Sequence, residues 1–317
     1  MAPTLARRFA RLGRPRRPES LPVALDRRRI YVLPTRFGLF FAALVFAMVL
    51  GALNYNNNPA LLLALLLGAT AMASLIFAHL QLAGLRVEAL SADPVPLGEP
   101  LRLHVAIASR DARVRHGLRV DAVNEHAFVL LPAGEGIVVE LALPTHRRGW
   151  YDLDRVRLST TQPLGLARAW AWVWPDAPLL VYPAMEVQGP PLPHADSAGT
   201  RARMDPAGDD VHQLRNYRAG DARRAIAWKP SARRNQLLVR DYERPLGRDV
   251  ELDWDALATL PHERRIQRLA HWVEAAEREG LRYRLRLPGH PVLGPANGPA
   301  HRHVCLRALA LLPHEAH

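Results

Sequence analysis

Two uninterrupted apolar runs near the start of the chain constrain its fold more than any other feature. Residues 37–53 are seventeen positions without a charged or strongly polar side chain, and residues 60–78 are nineteen more, broken only by Thr70 and Ser74. As helices they measure roughly 25 and 28 Å at 1.5 Å per residue, close to the ~30 Å hydrocarbon core of a bilayer. Thr and Ser return hydrogen bonds to their own helix, so neither disqualifies the second run. The short loop NYNNN, Asn54 to Asn58, leaves room only for an antiparallel pair. A soluble protein would have to cover such a hairpin with apolar surface on every side. A cleaved signal peptide has a shorter basic region and no second run. The expectation is a transmembrane helical hairpin over 37–83.

Charge is distributed to match. The whole chain nets +12, and residues 1–36, with ten Arg against Glu19 and Asp26, supply +8 of it. A basic protein of pI about 10.9 suggests nucleic acid as a partner. Most of the excess, however, lies in a tail beside an apolar segment, which points to anionic lipid and disfavours nucleic acid. Arg27, Arg28, Arg29 and Arg36 precede the first run while the loop at 54–58 is uncharged. The positive-inside rule then places both termini in the cytoplasm, with residues 1–36 as a basic cytoplasmic tail. A single cysteine, Cys305, permits no intrachain disulfide.

Beyond Gly84 the periodicity changes to two. LRVEAL (85–90), LRLHVAIA (101–108), LRVDAV (118–123), IVVELAL (137–143) and DRVRLS (154–159) alternate apolar with polar or small residues, and LLVYP (179–183) is a last apolar strand. Short strands at this spacing, parted by turn-rich stretches, predict an Ig-like β-sandwich over 84–187. Trp170, Trp172 and Trp174 fall on one face of such a strand. Residues 188–208, rich in Pro, Gly and Ala, read as a linker or mobile loop. Residues 209–317 follow as VHQLRNY (211–217), a turn, a short helix capped by Asp221, and QLLVRDYE (236–243). Then come DVELDWDAL (249–257), a helix over 262–279, LRYRLRL (281–287) and a helix over 301–311. That order predicts a small α/β unit with a parallel strand pair. The overall class is membrane-anchored α+β.

Two stretches are specific enough to compare with a known family. THRRGWYDLDRVRLSTTQPLGLARAW (145–170) with LLVYP is one, and GDDVHQLRNYRAGDARRAIAWKPSARRNQLLVRDYE (208–243) is the other. With the hairpin, they resemble the bacterial membrane family catalogued as "domain of unknown function 58". The resemblance covers residues 37–317. It implies a bacterial inner-membrane, multi-pass location, a C-terminal part like a degenerate, shortened von Willebrand factor A unit, and a MoxR-type AAA ATPase as protein partner. It implies no reaction. The chain departs from the family pattern at Gln162, where an acid is usual. It departs again at DWDAL, where Asp253 and Asp255 are followed by Leu257 in place of a third, hydroxyl-bearing ligand.

The signature region is the main candidate site. Residues 201–248 hold twelve basic and six acidic side chains. The candidate interaction residues are Arg215, Tyr217, Arg218, Asp221, Arg223, Arg224, Trp228, Lys229, Arg233 and Arg234. Lys229 is the one lysine in the chain. Two readings fit: a surface for an acidic protein, phosphate or lipid headgroups, or an internal network in which Asp221, Asp241 and Glu243 pair with the arginines. Asp253 and Asp255 are weak metal candidates, since Mg²⁺ demands a near-octahedral oxygen shell. His301 and His303 lack a third ligand, as does His194 beside Asp196. Cys305 falls in an apolar helical run as a core thiol. P-loop, nucleophile-elbow, H-E-x-x-H and paired-Cys motifs are absent. No cofactor or catalytic residue is expected.

Overall fold

A computed structural model describes residues 18–109, 111–193, 210–216, 238–243 and 249–314. It divides the chain into two compact units, 1–184 and 185–317.

The first unit is built on two apolar helices and three sheets. α1 (Arg36–Asn54) and α2 (Asn58–Leu82) form the expected hairpin. Thr35 caps α1, and the Asn57 side chain caps α2 by accepting from the Ala60 N–H. Both helices are long and apolar enough to cross a membrane, and only 11% of each apolar window is buried by the rest of the chain. A helix from a soluble core would be mostly covered; Phe40, Phe46, Leu62, Leu65 and Leu66 are instead exposed.

One antiparallel sheet has the order β1-β3-β5-β8, formed by Val23–Ala24, Leu85–Ala92, Leu101–Ser109 and Gly136–Leu143. A second has the order β2-β11-β10-β6-β7, formed by Tyr31–Pro34, Ala167–Val173, Val156–Thr160, Arg115–Ala122 and Glu125–Leu131. A third, smaller one joins β4 (Val95–Pro96), β12 (Leu179–Tyr182) and β9 (Gly149–Tyr151). The first two sheets share one apolar core. Leu85, Val87, Leu103, Val105 and Leu141 come from one sheet, and Leu118, Val120, Val156, Leu158 and Ala169 from the other. Strict alternation in β5 puts Leu101, Leu103, Val105 and Ile107 on the buried face, the period-two signature at work.

Two features of this unit differ from the sequence expectation. The basic tail expected over 1–36 contributes structure: β1 pairs with β3 and β2 with β11. These strands are two and four residues long, too short for an alternation pattern to register, and they acquire order only by completing existing sheets. β7 was not foreseen either, because Phe128 and Leu130 are exposed and AFVLL does not alternate apolar with polar.

The second unit contains a two-stranded antiparallel ribbon, β13 (Asp210–Asn216) with β14 (Leu238–Glu243). It also contains a small α/β sheet with the order β15-β16-β17, from Val250–Asp253, Tyr283–Arg286 and Leu293–Ala296. β15 and β16 are parallel, joined through α3 (His262–Arg278), as the β-α-β order predicts. β17, antiparallel to β16, was not expected: its sequence, LGPA, carries Gly and Pro in a short edge strand. α4 (Pro299–Leu311) closes the chain, two residues longer at its start than the apolar run alone indicates, with Pro in the first turn.

Candidate functional site

The most developed polar geometry among the described residues lies where the apolar helices enter the first unit. β2 runs into α1 with only Thr35 between them. The Thr35 hydroxyl accepts from the Gly38 N–H at 3.0 Å and donates to the Gly165 carbonyl at 2.6 Å, while its own N–H donates to the Leu166 carbonyl at 2.9 Å. The helix cap is therefore also a clamp onto the turn Thr161–Leu166, which contains QPLGL. The turn closes on itself through the Gly165 N–H, which donates to the Thr161 carbonyl at 2.8 Å. Gly38 lies so close that a Cβ would stand 1.9 Å from the Leu166 carbonyl oxygen.

α2 is held by a different device. Its 25 residues exceed the 19 of α1, a surplus of about 9 Å. The surplus is accounted for inside the unit, where Leu75, Ala78 and Leu82 pack on the core shared by the sheets. The last carbonyls of a helix lack internal partners. Arg115, 1% exposed at the start of β6, supplies them: its guanidinium donates to the Leu80 carbonyl and, at 2.9 Å, to the Ala83 carbonyl. Asp111 accepts from the same guanidinium at 2.6 Å. Burial lowers the Arg115 pKa from the ordinary arginine value, and the Asp111 charge opposes that shift. Gly84, at φ +83°, then turns the chain into β3, with Asp111 against its Cα. Gln162 lies against Gly117, so the 161–166 turn reaches from the start of α1 to the start of β6.

Sequence reasoning missed Thr35, Gly38, Asp111 and Arg115. A Thr directly before an apolar helical run is an N-cap signal; nothing local marks Arg115 as a helix cap, since the carbonyls it bonds lie more than thirty residues away in the chain.

In the second unit, Asp253 ends β15 and its carboxylate accepts from the Asp255 N–H at 3.1 Å. Arg286, opposite it on β16, stands 3.9 Å from the same carboxylate and 2.8 Å from Glu251. Leu257 is buried. No group of three or more His, Cys, Asp or Glu able to hold a metal occurs among the described residues. His301 packs on the Tyr283 ring, with its Nε2 3.1 Å from the Tyr283 carbonyl and 3.6 Å from the Cys305 sulfur. Glu277 accepts from the Tyr283 hydroxyl at 3.3 Å and from the Gly298 N–H at 3.1 Å. Burial, with Glu277 nearby, pushes the Cys305 thiol up to about 12, which makes it inert as a nucleophile. These contacts join β16 to α4 and need no ligand.

Of the signature residues, Arg215 lies on β13, opposite Val239 of β14. Tyr217, Arg218, Asp221, Arg223, Arg224, Trp228, Lys229, Arg233 and Arg234 lie outside the described residues. Trp170, Trp172 and Trp174 share one face of β11 and its C-terminal end, Trp170 stacked on Tyr31 of β2, Trp172 edge-on to Trp170 and Trp174 tilted against Trp172. They are 5–8% exposed, so the tryptophans are not an open face for a partner or for lipid.

No protein-family model matches the chain, and no curated protein matches it.

Proposed function

We propose that this chain is a non-enzymatic, membrane-anchored scaffold or adaptor. On this reading α1 and α2 cross the bacterial inner membrane with both termini in the cytoplasm. The observation that carries it is the pairing of β1 with β3, Val23 opposite Val87. These strands lie on either side of the hairpin in sequence and are hydrogen-bonded neighbours in one sheet. Both flanks of a membrane-crossing hairpin then lie on one side, and the arginine-rich segment 1–36 supports the cytoplasm as that side. The finer fold reading is an Ig-like β-sandwich followed by a degenerate von Willebrand A-like unit. It is supported by the core common to the first two sheets and by the parallel pair β15–β16 around α3.

The working partner, from the family resemblance, is a MoxR-type AAA ATPase in the assembly or activation of a protein complex, met by the 201–248 signature. A metal-dependent adhesion or enzymatic module at Asp253 and Asp255 is the less favoured reading, because Asp253 already accepts a backbone N–H and faces Arg286. Phosphate or nucleic-acid binding by the basic 201–248 segment is the other.

Topology is tested with single cysteines at Ser20, Asn56 and Pro230 in a Cys305→Ser background. Only position 56 labels from outside intact cells; external labelling at 20 or 230 refutes the assignment. Partners are tested by crosslinking in membranes with the Arg223→Ala, Arg224→Ala, Lys229→Ala triple variant. Loss of a captured ATPase from a folded variant supports the adaptor reading. Unchanged capture moves the surface elsewhere. Salt-sensitive retention on DNA or heparin, lost in the variant, favours the phosphate reading.

A further inference from the structure

We infer that the Thr161–Leu166 turn is an interfacial lipid anchor, in which Leu164 enters the headgroup–acyl boundary while Arg36 and Arg168 take the phosphates of anionic lipids. The inference rests on the membrane-spanning reading and goes beyond it, because a hairpin can cross a bilayer while its attached domain stands clear of the surface.

Depth is the first argument. α1 has 19 residues, about 28 Å, so its first turn lies at one edge of a hydrocarbon layer of ~30 Å. The turn is bonded to that first turn through Thr35, at 2.6 Å from its hydroxyl to Gly165 and 2.9 Å from its N–H to Leu166. A segment fixed so close to the helix start lies within the boundary layer, about 5–10 Å deep, that amphipathic anchors occupy. The sheet topology agrees. Arg115 of β6, Thr160 of β10, Ala167 of β11 and Pro34 of β2 are all at the helix end of the second sheet, while Glu125 lies at the opposite end.

Chemistry is the second. The turn holds no charge from Thr161 to Leu166, and Leu164 is 50% exposed. Leu33 and Phe37, two residues either side of Thr35, are also exposed. A half-exposed apolar tip next to the exposed apolar start of α1 is suited to lipid.

Charge complementarity is the third. Arg36 opens α1 and Arg168 follows Leu166 by two residues, opposite Leu33 across the β2–β11 pair; both are exposed. Neither meets a carboxylate among the described residues. The sequence has no acid from Arg27 to Val87 and none from Arg155 to Pro175, so the two segments that meet at the turn carry only cationic charge. Arginines beside an apolar tip at this depth match an anionic bilayer surface.

The experiment uses the full chain in nanodiscs, Cys305→Ser, with an environment-sensitive fluorophore on Leu164→Cys, Phe46→Cys or Glu125→Cys. The quenchers are phosphatidylglycerol and phosphatidylcholine carrying a shallow nitroxide for the Leu164 and Glu125 probes, and a nitroxide at the acyl-chain end for the Phe46 probe, which lies mid-helix. The Leu164 probe is expected to be quenched several-fold more than the Glu125 probe, and more by phosphatidylglycerol. Arg168→Gln is expected to reduce that preference about fivefold, the factor for one basic residue at an anionic surface. Quenching at Phe46 with none at Leu164 overturns the anchor while leaving the spanning hairpin intact, and a protein-facing Leu164 gives the same result. No quenching at Phe46 overturns the membrane reading itself, and the anchor with it. Equal quenching by both lipids, unchanged in Arg168→Gln, overturns the phosphate-binding roles.

Discussion

The Cα of Gly38 rests on the carbonyl oxygen of Leu166, at a distance that leaves a Cβ only 1.9 Å from it. The contact is backbone to backbone, so no side chain can rotate away. In the middle of an exposed helix, Gly→Ala stabilises by about 1 kcal/mol through propensity. At Gly38 the sign reverses. Gly38→Ala is expected to cost 3 kcal/mol or more, at or above the upper end of the ~1–3 kcal/mol seen for overpacking. Gly51, in the same helix with nothing within 4 Å of its would-be Cβ, is the internal control. Gly51→Ala should be neutral or mildly stabilising. Denaturant melts of both variants in one detergent decide it, and equal behaviour of the two refutes the clamp.

The second unit holds its opening segment by Glu186, whose carboxylate accepts two hydrogen bonds from Arg268 on α3, one of them at 3.1 Å. Trp272, one turn further along α3, donates to the Pro190 carbonyl at 3.0 Å. The Arg268 hydrogen bonds hold the Glu186 pKa below its ordinary 4.5, against a smaller opposing effect of burial. A depressed carboxylate contributes stability that is fully present above its unfolded pKa and is lost as pH falls through the folded one. The wild-type chain should therefore lose more stability than Arg268→Gln as pH drops below about 4.5. Above about pH 6 their difference should be constant. Thermal melts across that range measure it, and parallel profiles refute the pairing.

At the end of β15, Asp253 has its carboxylate engaged by the Asp255 N–H and faced by Arg286. A divalent cation there would have to displace both and would find Leu257 where a hydroxyl ligand belongs. Mg²⁺ and Mn²⁺ should leave the melting temperature of the full chain unchanged. Asp253→Ala should cost only about 1 kcal/mol, as expected for a local cap and a weak, partly exposed ion pair. A saturable metal-dependent rise, abolished by Asp253→Ala, would contradict this.

Legibility followed the range of each interaction. The hairpin, β5, β8, α3 and the parallel pair β15–β16 were readable, because periodicity and segment order are written locally. β1 and β2 were not: Val23–Ala24 and Tyr31–Pro34 exist only because β3 and β11 offer them edges. The QPLGL stretch was recognisable as distinctive, yet its contact with Thr35 and Gly38 spans some 130 residues. Arg115 looked like one arginine among 41. Burial, not composition, sets it apart.

That burial makes Arg115 the site of the largest expected single loss. Its guanidinium bonds the Leu80 and Ala83 carbonyls at the end of α2 and the Asp111 carboxylate. Arg115→Met keeps much of the apolar stem but leaves Asp111 without its counter-charge and two helix-end carbonyls without donors. Losing a charged donor to two helix-end carbonyls, beside a partly solvated Asp111, costs about 3 kcal/mol. Asp111→Asn should cost less, since Asp111 is only partly buried and Arg115 keeps both carbonyls. The double variant isolates the pair. If Asp111 acts mainly through Arg115, its substitution should add little in the Arg115→Met background, with a coupling of about 1–3 kcal/mol. Additive losses would mean that the two residues stabilise the α2 terminus independently. Exchange protection of the α2 C-terminal amides supplies a second, local readout, because fraying at Leu80–Leu82 should rise in Arg115→Met while the middle of α1 stays protected.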